Sequence, residues 1–365
     1  MTSCVVRSYL RPGEDSTLAE DVLDGLTRPF KELPPKHFYD NVGAELFDRI
    51  CDLPQYYPTR TERGILLERA AEVAAATGAR EVVELGSGTA AKSRILLSAL
   101  ADAGTLRRYV PIDVTEGMIR TTGEALATEY PGLEVHGVVG DFERHLGHVP
   151  PPAGPRIVAL LGGTIGNFTP GARRRFLRGL GQLLGPDGAL LLGVDLVKDP
   201  AVIEAAYDDA AGVTAAFNRN LLRVVNRGLD ADFEPERFDH VAFFDREHEW
   251  IEMRLRAQER MTVRVAALGL TVQFANREEL RTEISAKFTP ERLESDFAAA
   301  GLETLELFTD PDERFGLALA RAAAARGTRT RRTAVAALAE RAGEAHDWRA
   351  VRLPASASPC STRAG

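Results

Sequence analysis

The heptapeptide Glu84-Leu-Gly-Ser-Gly-Thr-Ala90, directly after the apolar pair Val82-Val83, constrains the fold of this chain more than any other segment. It joins a short apolar run to an amphipathic stretch through two glycines that stand one residue apart. Glycine is needed where the backbone turns sharply or a ligand lies against bare main chain, because a Cβ atom would collide there. The pattern therefore predicts a strand, a ligand-binding turn and a helix, as at the start of a nucleotide-binding α/β sheet.

Acidic residues end the next two apolar runs. Asp113 closes the run 109–113, at about the distance at which a nucleotide-binding sheet places a ribose-binding carboxylate. Asp141 and Phe142 close the following run, where an adenine ring needs one polar and one apolar contact. The glycine spacing is Glu-x-Gly-x-Gly rather than Gly-x-Gly-x-x-Gly, which disfavours a nicotinamide-dependent oxidoreductase. The combination resembles the S-adenosylmethionine site of class I methyltransferases, a Rossmann-like α/β fold.

Between residues 80 and 195 short apolar runs alternate with longer amphipathic ones, which is typical of a parallel sheet with crossover helices. Helices are predicted over 91–100 and from Pro170 to Leu184, where Thr169 and Pro170 form a helix start. A helix over 291–300 and two strands, 302–308 and 315–320, are predicted to finish the sheet. The remaining predicted strands are 81–85, 109–113, 133–139, 157–161 and 189–194.

Residues 1–60 and 199–286 do not follow this alternation. The second of these segments is predicted to begin with a helix over 201–218 and to continue with strands over 241–245, 249–257 and 261–266. We expect the two segments to form a second, α+β lobe that binds the substrate and closes over the carboxyl ends of the strands. The methyltransferase domain would then comprise 61–198 and 287–321, followed by a basic tail over 322–365.

Six segments stand in a fixed order along the chain, at residues 33–40, 53–62, 84–89, 163–168, 207–220 and 282–288. Several, such as Gly163-Thr-Ile-Gly-Asn-Phe168, have no role in a general cofactor fold. Together they resemble the histidine Nα-methyltransferases of ergothioneine biosynthesis over about residues 20–320. The resemblance implies trimethylation of the α-amino group of free L-histidine to hercynine, with S-adenosylmethionine as the methyl donor.

The resemblance also implies that Glu283 and Ser285 bind the imidazole ring. Their i, i+2 spacing puts both on one side of an extended segment, so each can meet one ring nitrogen. Taken without the resemblance, Glu283 would be interpreted as a solvated acid at a strand end.

The amino and carboxylate groups of the substrate are implied to meet Asn167, Tyr56 and Tyr207. An amide can donate to a carboxylate and accept from an amine at the same time. Asn167 and Tyr39 are the residues implied to take part in catalysis, with Tyr39 or a water on Asn167 passing on the amine proton. The further pocket residues implied are Phe47, Met253 and Thr164.

The methyl donor is expected at the glycine turn and the strand ends beside it. Phe142 would also be explained by plain core packing, and the two roles are compatible. The residues expected to hold the donor are Gly86 and Gly88 in the turn, Lys92 at its carboxylate, Asp113 at the ribose, and Asp141 and Phe142 at the adenine.

The bulk properties favour a cytoplasmic monomer that acts on a small molecule. Net charge over the 365 residues is −8, which gives no general bias toward nucleic acid or an anionic membrane. No apolar run is long enough to span a bilayer, and the N-terminus has no secretory pattern. The three cysteines and the scattered histidines predict neither a disulfide framework nor a metal site.

Two alternatives stay open at this stage. The same chemistry could act on another amino acid, as in fungal relatives that methylate a prenylated tryptophan, although Glu283 with Ser285 favours imidazole. The chain could also be a non-catalytic module recruited through the basic segment 322–365, which holds eight Arg against three acidic residues. The stretch 326–332 within it could be interpreted as a nucleic-acid arm. A solvated tail is the favoured interpretation of that segment.

Overall fold

An eight-stranded sheet lies at the centre of the structure, a computed structural model that describes residues 3–10 and 17–324. Its strands are β1 (Ser3–Ser8), β3 (Glu81–Leu85), β4 (Arg108–Asp113), β5 (Glu134–Val139), β6 (Arg156–Leu160), β7 (Ala189–Asp195), β13 (Leu302–Thr309) and β14 (Phe315–Ala322). The spatial order is β1-β5-β4-β3-β6-β7-β14-β13. All neighbours from β1 to β7 are parallel, and β14 runs antiparallel to both β7 and β13. This confirms the predicted class I methyltransferase sheet.

Helices cover both faces of this sheet. They are α3 (Pro58–Thr77), α4 (Ser93–Asp102), α5 (Glu116–Glu129), the short α6 (Phe142–His145), α7 (Pro170–Leu183) and α10 (Pro290–Ala300). Every residue of β3, β6 and β7 is buried, which explains why the sequence shows these strands as unbroken apolar runs rather than alternating ones. The five strands predicted between residues 80 and 195 are confirmed, with boundaries that differ by one residue at most.

A smaller, four-stranded sheet lies outside the large one. Around it are a separate hairpin and four helices, and residues between 22 and 57 share one hydrophobic core with residues between 203 and 280. This shared core supports a lobe assembled from two distant segments. The elements are β2 (Lys31–Glu32), β8 (Phe238–Asp245), β9 (Trp250–Ala257), β10 (Met261–Val265), β11 (Leu270–Phe274), β12 (Glu279–Ala286), α1 (Thr17–Thr27), α2 (Asn41–Cys51), α8 (Pro200–Tyr207) and α9 (Val213–Leu229). The strand order of the small sheet is β2-β12-β9-β8, and β10 pairs with β11 to form the hairpin.

The first strand corrects one placement made from the sequence. Residues 1–60 were expected in the second lobe, but β1 pairs with β5 at the edge of the large sheet. Two glycines make room for it: a Cβ on Gly123 would lie 2.9 Å from the Cys4 sulfur, and one on Gly137 would lie 3.2 Å from Val6. The six residues of β1 show no strong hydrophobic pattern of their own, because the space for the strand is made by glycines elsewhere in the chain. The sequence therefore did not separate β1 from the second-lobe residues that come after it.

The helix predicted over 201–218 is two helices, α8 and α9. Asp209 breaks it, because its carboxylate accepts the main-chain N–H groups of Val213 (2.9 Å) and Thr214 (2.7 Å) and so caps α9. Gly212, the residue directly before α9, supplies a left-handed conformation (φ +72°). The break places Tyr207 at the last position of α8 instead of within one long helix. From there its side chain faces β12 and contacts Ser285.

No helix within residues 3–10 and 17–324 combines the length and the apolar character that crossing a membrane requires. In the same part of the chain no group of three or more metal-ligating side chains comes together. The predicted basic tail lies outside the described residues from position 325 onward.

A buried ion pair joins α7 to α10, and its removal is expected to destabilise the fold. Arg173 (1% exposed) donates to Asp296 (2% exposed) across 2.6 Å. We predict that Asp296→Ala lowers the free energy of unfolding by about 3–5 kcal/mol, because it leaves a buried guanidinium without its counter-charge. Glu303→Ala, which breaks the exposed pair with Arg321, is the matched control and should cost under about 1 kcal/mol. Equal losses for the two variants in urea unfolding would contradict the prediction.

Candidate active site

The glycine turn after β3 is tied to the end of β4. Gly86 (φ +69°) and Gly88 (φ +48°) both adopt left-handed conformations that disfavour any other residue. The main-chain N–H of Gly86 donates to the Ile112 carbonyl (2.8 Å), and that of Gly88 donates to the Asp113 carboxylate (3.0 Å). The other Asp113 oxygen accepts from the N–H of Thr115 (3.0 Å). The carboxylate is therefore held at the carboxyl edge of the sheet, beside the turn.

The end of β5 completes this edge. Asp141 caps α6 by accepting the N–H of Glu143 (2.8 Å). Phe142 packs on Phe176 of α7, with ring centres 5.7 Å apart, and its ring lies 3.6 Å from where a Cβ on Gly86 would stand. The predicted adenine contacts thus border the glycine turn, and core packing holds Phe142 in place.

Glu84, the acid that opens the turn motif, lies beneath the turn rather than in it. It is 4% exposed, and its carboxylate accepts the hydroxyl of Tyr109. Burial raises the pKa of Glu84 to about 7, against the opposing effect of its hydrogen bonds. The buried position of Glu84 indicates that it supports the turn structurally from the protein interior.

Lys92 follows the turn, and its ammonium is paired with the fully buried Glu62 of α3. The same carboxylate accepts the main-chain N–H of Gly162, at the end of β6, across 2.8 Å. Gly193 of β7 leaves space for it, since a Cβ there would lie 2.0 Å from a Glu62 oxygen. Lys92 therefore stands at the predicted donor site with one of its three hydrogens already engaged.

Five aromatic side chains form a group at the second lobe, three from the helices α2, α8 and α9 and two from the loops before α2 and α3. Ring centres are 5.4 Å apart for Tyr39 and Phe47, 5.7 Å for Tyr39 and Phe217, 6.1 Å for Phe47 and Tyr56, and 6.1 Å for Tyr56 and Tyr207. All four pairs meet edge to face, an arrangement that aromatic quadrupoles favour. We call these five residues the aromatic group.

The phenols of the aromatic group stay neutral around pH 7. Burial raises the pKa of Tyr39, Tyr56 and Tyr207 above the ordinary value, and the nearby Glu283 carboxyl adds to the effect at each of them. Tyr39 nevertheless keeps 49% of its surface accessible, whereas Tyr56 and Tyr207 are each 8% exposed. Tyr39 therefore lies at the mouth of the group, between solvent and the inner rings.

Glu283 projects from β12 toward the aromatic group. It lies directly opposite Met253 in the register with β9, so the two side chains share one face of the small sheet. Burial raises the pKa of Glu283 to about 7, while Lys287 and a hydrogen bond with Asn167 act in the opposite direction. Asn167 ends the short 3₁₀ helix Thr164–Asn167 after β6, so this bond connects the two sheets.

Ser285 and Tyr207 form a second polar pair beside Glu283. Their oxygens are 3.2 Å apart, and the fully buried Lys287 donates to both, across 3.0 Å to Ser285 and 3.1 Å to Tyr207. Lys287 is in turn paired with Asp195 at the end of β7, 2.9 Å away. A buried cation with a fixed anion thus stands directly behind the two hydroxyls.

The structure brings most of the predicted substrate residues into one place. Thr164 differs, because its hydroxyl donates to the Leu161 carbonyl (3.1 Å) and so stabilises its own turn. The roles of the assembled residues toward a ligand stay predictions. Those assembled are Tyr39, Phe47, Tyr56, Asn167, Tyr207, Met253, Glu283 and Ser285.

Three site residues were missed although each lies in one of the six segments that carry the family resemblance. Lys287 continues the alternation Glu283, Ser285 along one side of an extended chain, and this was a usable signal. Phe217 and Glu62 lie within helices, where nothing local separates a pocket wall or a buried acid from an ordinary helical residue. Their positions depend on long-range packing.

Comparison of the chain with known proteins finds a matching family model and several similar proteins. The family model described as "Histidine-specific methyltransferase, SAM-dependent" matches residues 18–322. The chain is 55% identical to the histidine N-alpha-methyltransferase of Mycolicibacterium smegmatis, covering 83% of this chain and 94% of that protein. It is 52% identical to the protein of the same name from Mycobacterium tuberculosis, over 84% and 97% of the two chains. It is also 32% identical to ergothioneine biosynthesis protein 1 of Neurospora crassa, over 79% of this chain and 33% of that longer protein.

Glu84 and Glu283, the two acids whose pKa is raised to about 7, give a direct test of the electrostatics. In protein carrying glutamate labelled with ¹³C at the side-chain carboxyl, we predict two resonances that titrate near pH 7, well above the ordinary range of glutamate. Glu283→Gln should remove one of them and Glu84→Gln the other. Titration of every glutamate below about pH 5.5 would show that neither carboxyl is desolvated as described.

Proposed function

Since the chain belongs to the family of histidine-specific, S-adenosylmethionine-dependent methyltransferases, we propose that it methylates the α-amino group of free L-histidine. Three successive transfers give hercynine, the trimethylated betaine, as the first step of ergothioneine biosynthesis. The Neurospora crassa relative, named for that pathway, supports this place in metabolism. The enzyme acts as a cytoplasmic monomer on a small molecule and needs no nucleic-acid or membrane partner.

The observation that carries the proposal is the pairing of Glu283 with Ser285 next to the aromatic group. Glu283 and Ser285 stand at alternate positions of β12. They offer a carboxylate acceptor and a hydroxyl to a flat ring that has two nitrogens. Asn167 reaches the same carboxyl from the loop after β6. An imidazole ring held between these groups is buried, oriented and hydrogen-bonded at both nitrogens.

The remaining parts of the substrate meet groups on the sheet side of the pocket. Asn167 and the neutral phenol of Tyr56 can donate hydrogen bonds to the α-carboxylate. The hydrogen of the Tyr207 hydroxyl is directed at Ser285, so toward the substrate Tyr207 offers a lone pair that can accept from the amino group. Tyr39 lies at the mouth, where the α-ammonium has to lose a proton before its lone pair can react. A phenol that stays neutral moves that proton by accepting it and releasing its own, and Tyr39 alone among the three phenols is half-exposed to water.

The residues at the glycine turn fit an S-adenosylmethionine molecule. Gly86 and Gly88 present bare main chain, the hydroxyl of Ser87 between them is buried without a hydrogen-bond partner among the described residues, and Asp113 is fixed beside them. The bound cofactor supplies an electrophilic methyl group on a sulfonium. Holding it is proposed to involve Asp113 at the ribose, Asp141 and Phe142 at the adenine, and Lys92 at the carboxylate.

Catalysis in this arrangement is mainly positioning. Displacement at a methyl group needs the attacking nitrogen, the carbon and the sulfur in line within a dry space, and it needs little acid–base help once the amine is neutral. The aromatic group excludes water and offers its ring faces to a substrate whose positive charge becomes permanent as methyl groups are added. The lobe built from residues of 1–60 and 199–286, without β1, is proposed to close this space over the domain of 61–198 and 287–321.

The test of the function is mass spectrometry of free histidine incubated with the protein and S-adenosylmethionine. We expect mass gains of one, two and then three methyl groups on histidine, and none on tryptophan or other amino acids offered in parallel. Methylation of a different amino acid would mean that the pocket around Glu283 has another substrate. Absence of any transfer, with donor binding intact, would refute the proposed activity.

The two halves of the site should respond separately to substitution. Glu283→Gln is predicted to weaken histidine binding by about 10–100-fold, the loss of a charge-assisted hydrogen bond, while leaving donor affinity unchanged. Asp113→Ala should do the reverse. Glu279→Gln, on the same strand but paired with Arg254 and Arg256, is the matched control for Glu283 and should bind both ligands normally. Calorimetry showing equal loss of both ligands in either site variant would contradict the division.

A further inference from the structure

Lys287 has no place in the proposed function, yet it is among the most buried charged side chains of the described residues. Its ammonium makes three contacts, with Asp195 (2.9 Å), Ser285 (3.0 Å) and Tyr207 (3.1 Å). A lysine ammonium carries three hydrogens and no acceptor. All three of its hydrogens are therefore used, and each partner oxygen accepts.

These contacts fix the polarity of the Ser285 hydroxyl. Its oxygen accepts from Lys287 and also from the hydroxyl of Tyr207, 3.2 Å away. A hydroxyl oxygen has two lone pairs, so both are occupied and only its hydrogen remains for a ligand. Toward the pocket, Ser285 is then a donor and not an acceptor.

We propose that Lys287 is a positioning residue that makes Ser285 a hydrogen-bond donor, so that the site binds histidine with a neutral imidazole ring in a single tautomer. The inference rests on the proposed function, in which Glu283 and Ser285 each meet one ring nitrogen. Ser285 donates to the unprotonated nitrogen, and Glu283 accepts the N–H of the other. An imidazolium, with hydrogens on both nitrogens, would direct one of them at the hydrogen of Ser285.

The ion pair with Asp195 keeps Lys287 charged as the pH changes, and the Ser285 hydroxyl therefore remains a donor toward the pocket. Asp195 is 4% exposed and also accepts from the hydroxyl of Tyr57 (2.8 Å) and from Lys198 (2.6 Å). Burial disfavours a charged lysine, but Asp195 and Tyr207 outweigh it and hold the pKa of Lys287 above its ordinary value. Lys287 therefore stays charged over the whole range in which the imidazole of histidine titrates.

The charged and titratable groups around the ring decide how binding depends on pH. Glu283 carries a pKa of about 7, and the imidazole of histidine has a pKa of about 6.5. Binding in the proposed form needs both groups to lose a proton, so it releases two protons under acidic conditions. The other such groups in contact with this network are Tyr57 before α3, Asp195 and Lys198 at the end of β7, Tyr207 of α8, and Tyr39 and Tyr56 of the aromatic group.

The test compares histidine binding at pH 6 and pH 5 by calorimetry. In the wild type we expect the Kd to rise about seventyfold, since two protons are released. In Lys287→Met the Ser285 oxygen is free to accept from an imidazolium, so one proton is released and the Kd should rise only about tenfold. Lys198→Met is the matched control: it contacts Asp195 and Tyr57 but not Ser285, and it should keep the wild-type ratio.

Two further measurements test the proposal, and the first needs no variant at position 287, so the outcome stays decisive if Lys287→Met folds poorly. Histidine labelled with ¹⁵N in the ring, bound to the wild type together with S-adenosylhomocysteine, should show one protonated and one unprotonated nitrogen at pH 6. Lys287→Met and Ser285→Ala should also be non-additive in histidine affinity, because one acts through the other. Two protonated nitrogens in the wild type, or equal pH ratios in the wild type and Lys287→Met, would overturn the role of Lys287 while leaving histidine methylation intact. Wild-type protein that does not bind histidine would instead refute the proposed function.

Discussion

The carboxylate of Asp195 lies where three distant parts of the chain meet, and much of the site depends on how its charge is compensated. It ends β7 of the large sheet, and it is contacted by Tyr57 from the N-terminal segment and by Lys287 just beyond β12 of the small sheet. An isolated carboxylate would be costly at this depth, so each partner lost would leave a buried charge with less compensation. The requirement to satisfy one anion therefore fixes the small sheet against the end of the large one. The Ser285 and Tyr207 hydroxyls are fixed with it.

The strands of the large sheet could be predicted because the apolar runs that identify them are local features of the sequence. Strands covered on both faces are apolar throughout, and β3, β6 and β7 stand out in the sequence for that reason. The positions of β1 and of the break between α8 and α9 depend on something else. β1 is held by glycines in two other elements, and the break is held by the carboxylate of Asp209, whose capping role is hidden within a helical pattern.

The same distinction separates the site residues that were found from those that were missed. Glu283, Ser285 and Asn167 stand in segments whose composition no cofactor fold requires, so resemblance to a family pointed to them and the structure places them together. The structural roles of Phe217 and Glu62 depend on contacts with residues far away in the sequence. Glu62 is buried because Gly193 leaves it space and Gly162 and Lys92 satisfy its oxygens, and no spacing along the chain encodes that set of contacts.

Substrate choice depends on the polarity of the two ring contacts, given the proposed roles of Glu283 and Ser285. An indole offers one N–H and no ring acceptor, so it could satisfy Glu283 but would leave the hydrogen of Ser285 buried without a partner. Leaving a buried polar group unpaired costs more than a matched hydrogen bond contributes, which is why sites of this kind discriminate strongly against analogues that lack the partner group. The aromatic group alone would accept either ring, because stacking and edge-to-face contacts are tolerant of ring identity. On these proposed roles, selectivity for imidazole arises from the donor polarity that Lys287 imposes on Ser285 opposite the acceptor Glu283, and the anion at Asp195 maintains it.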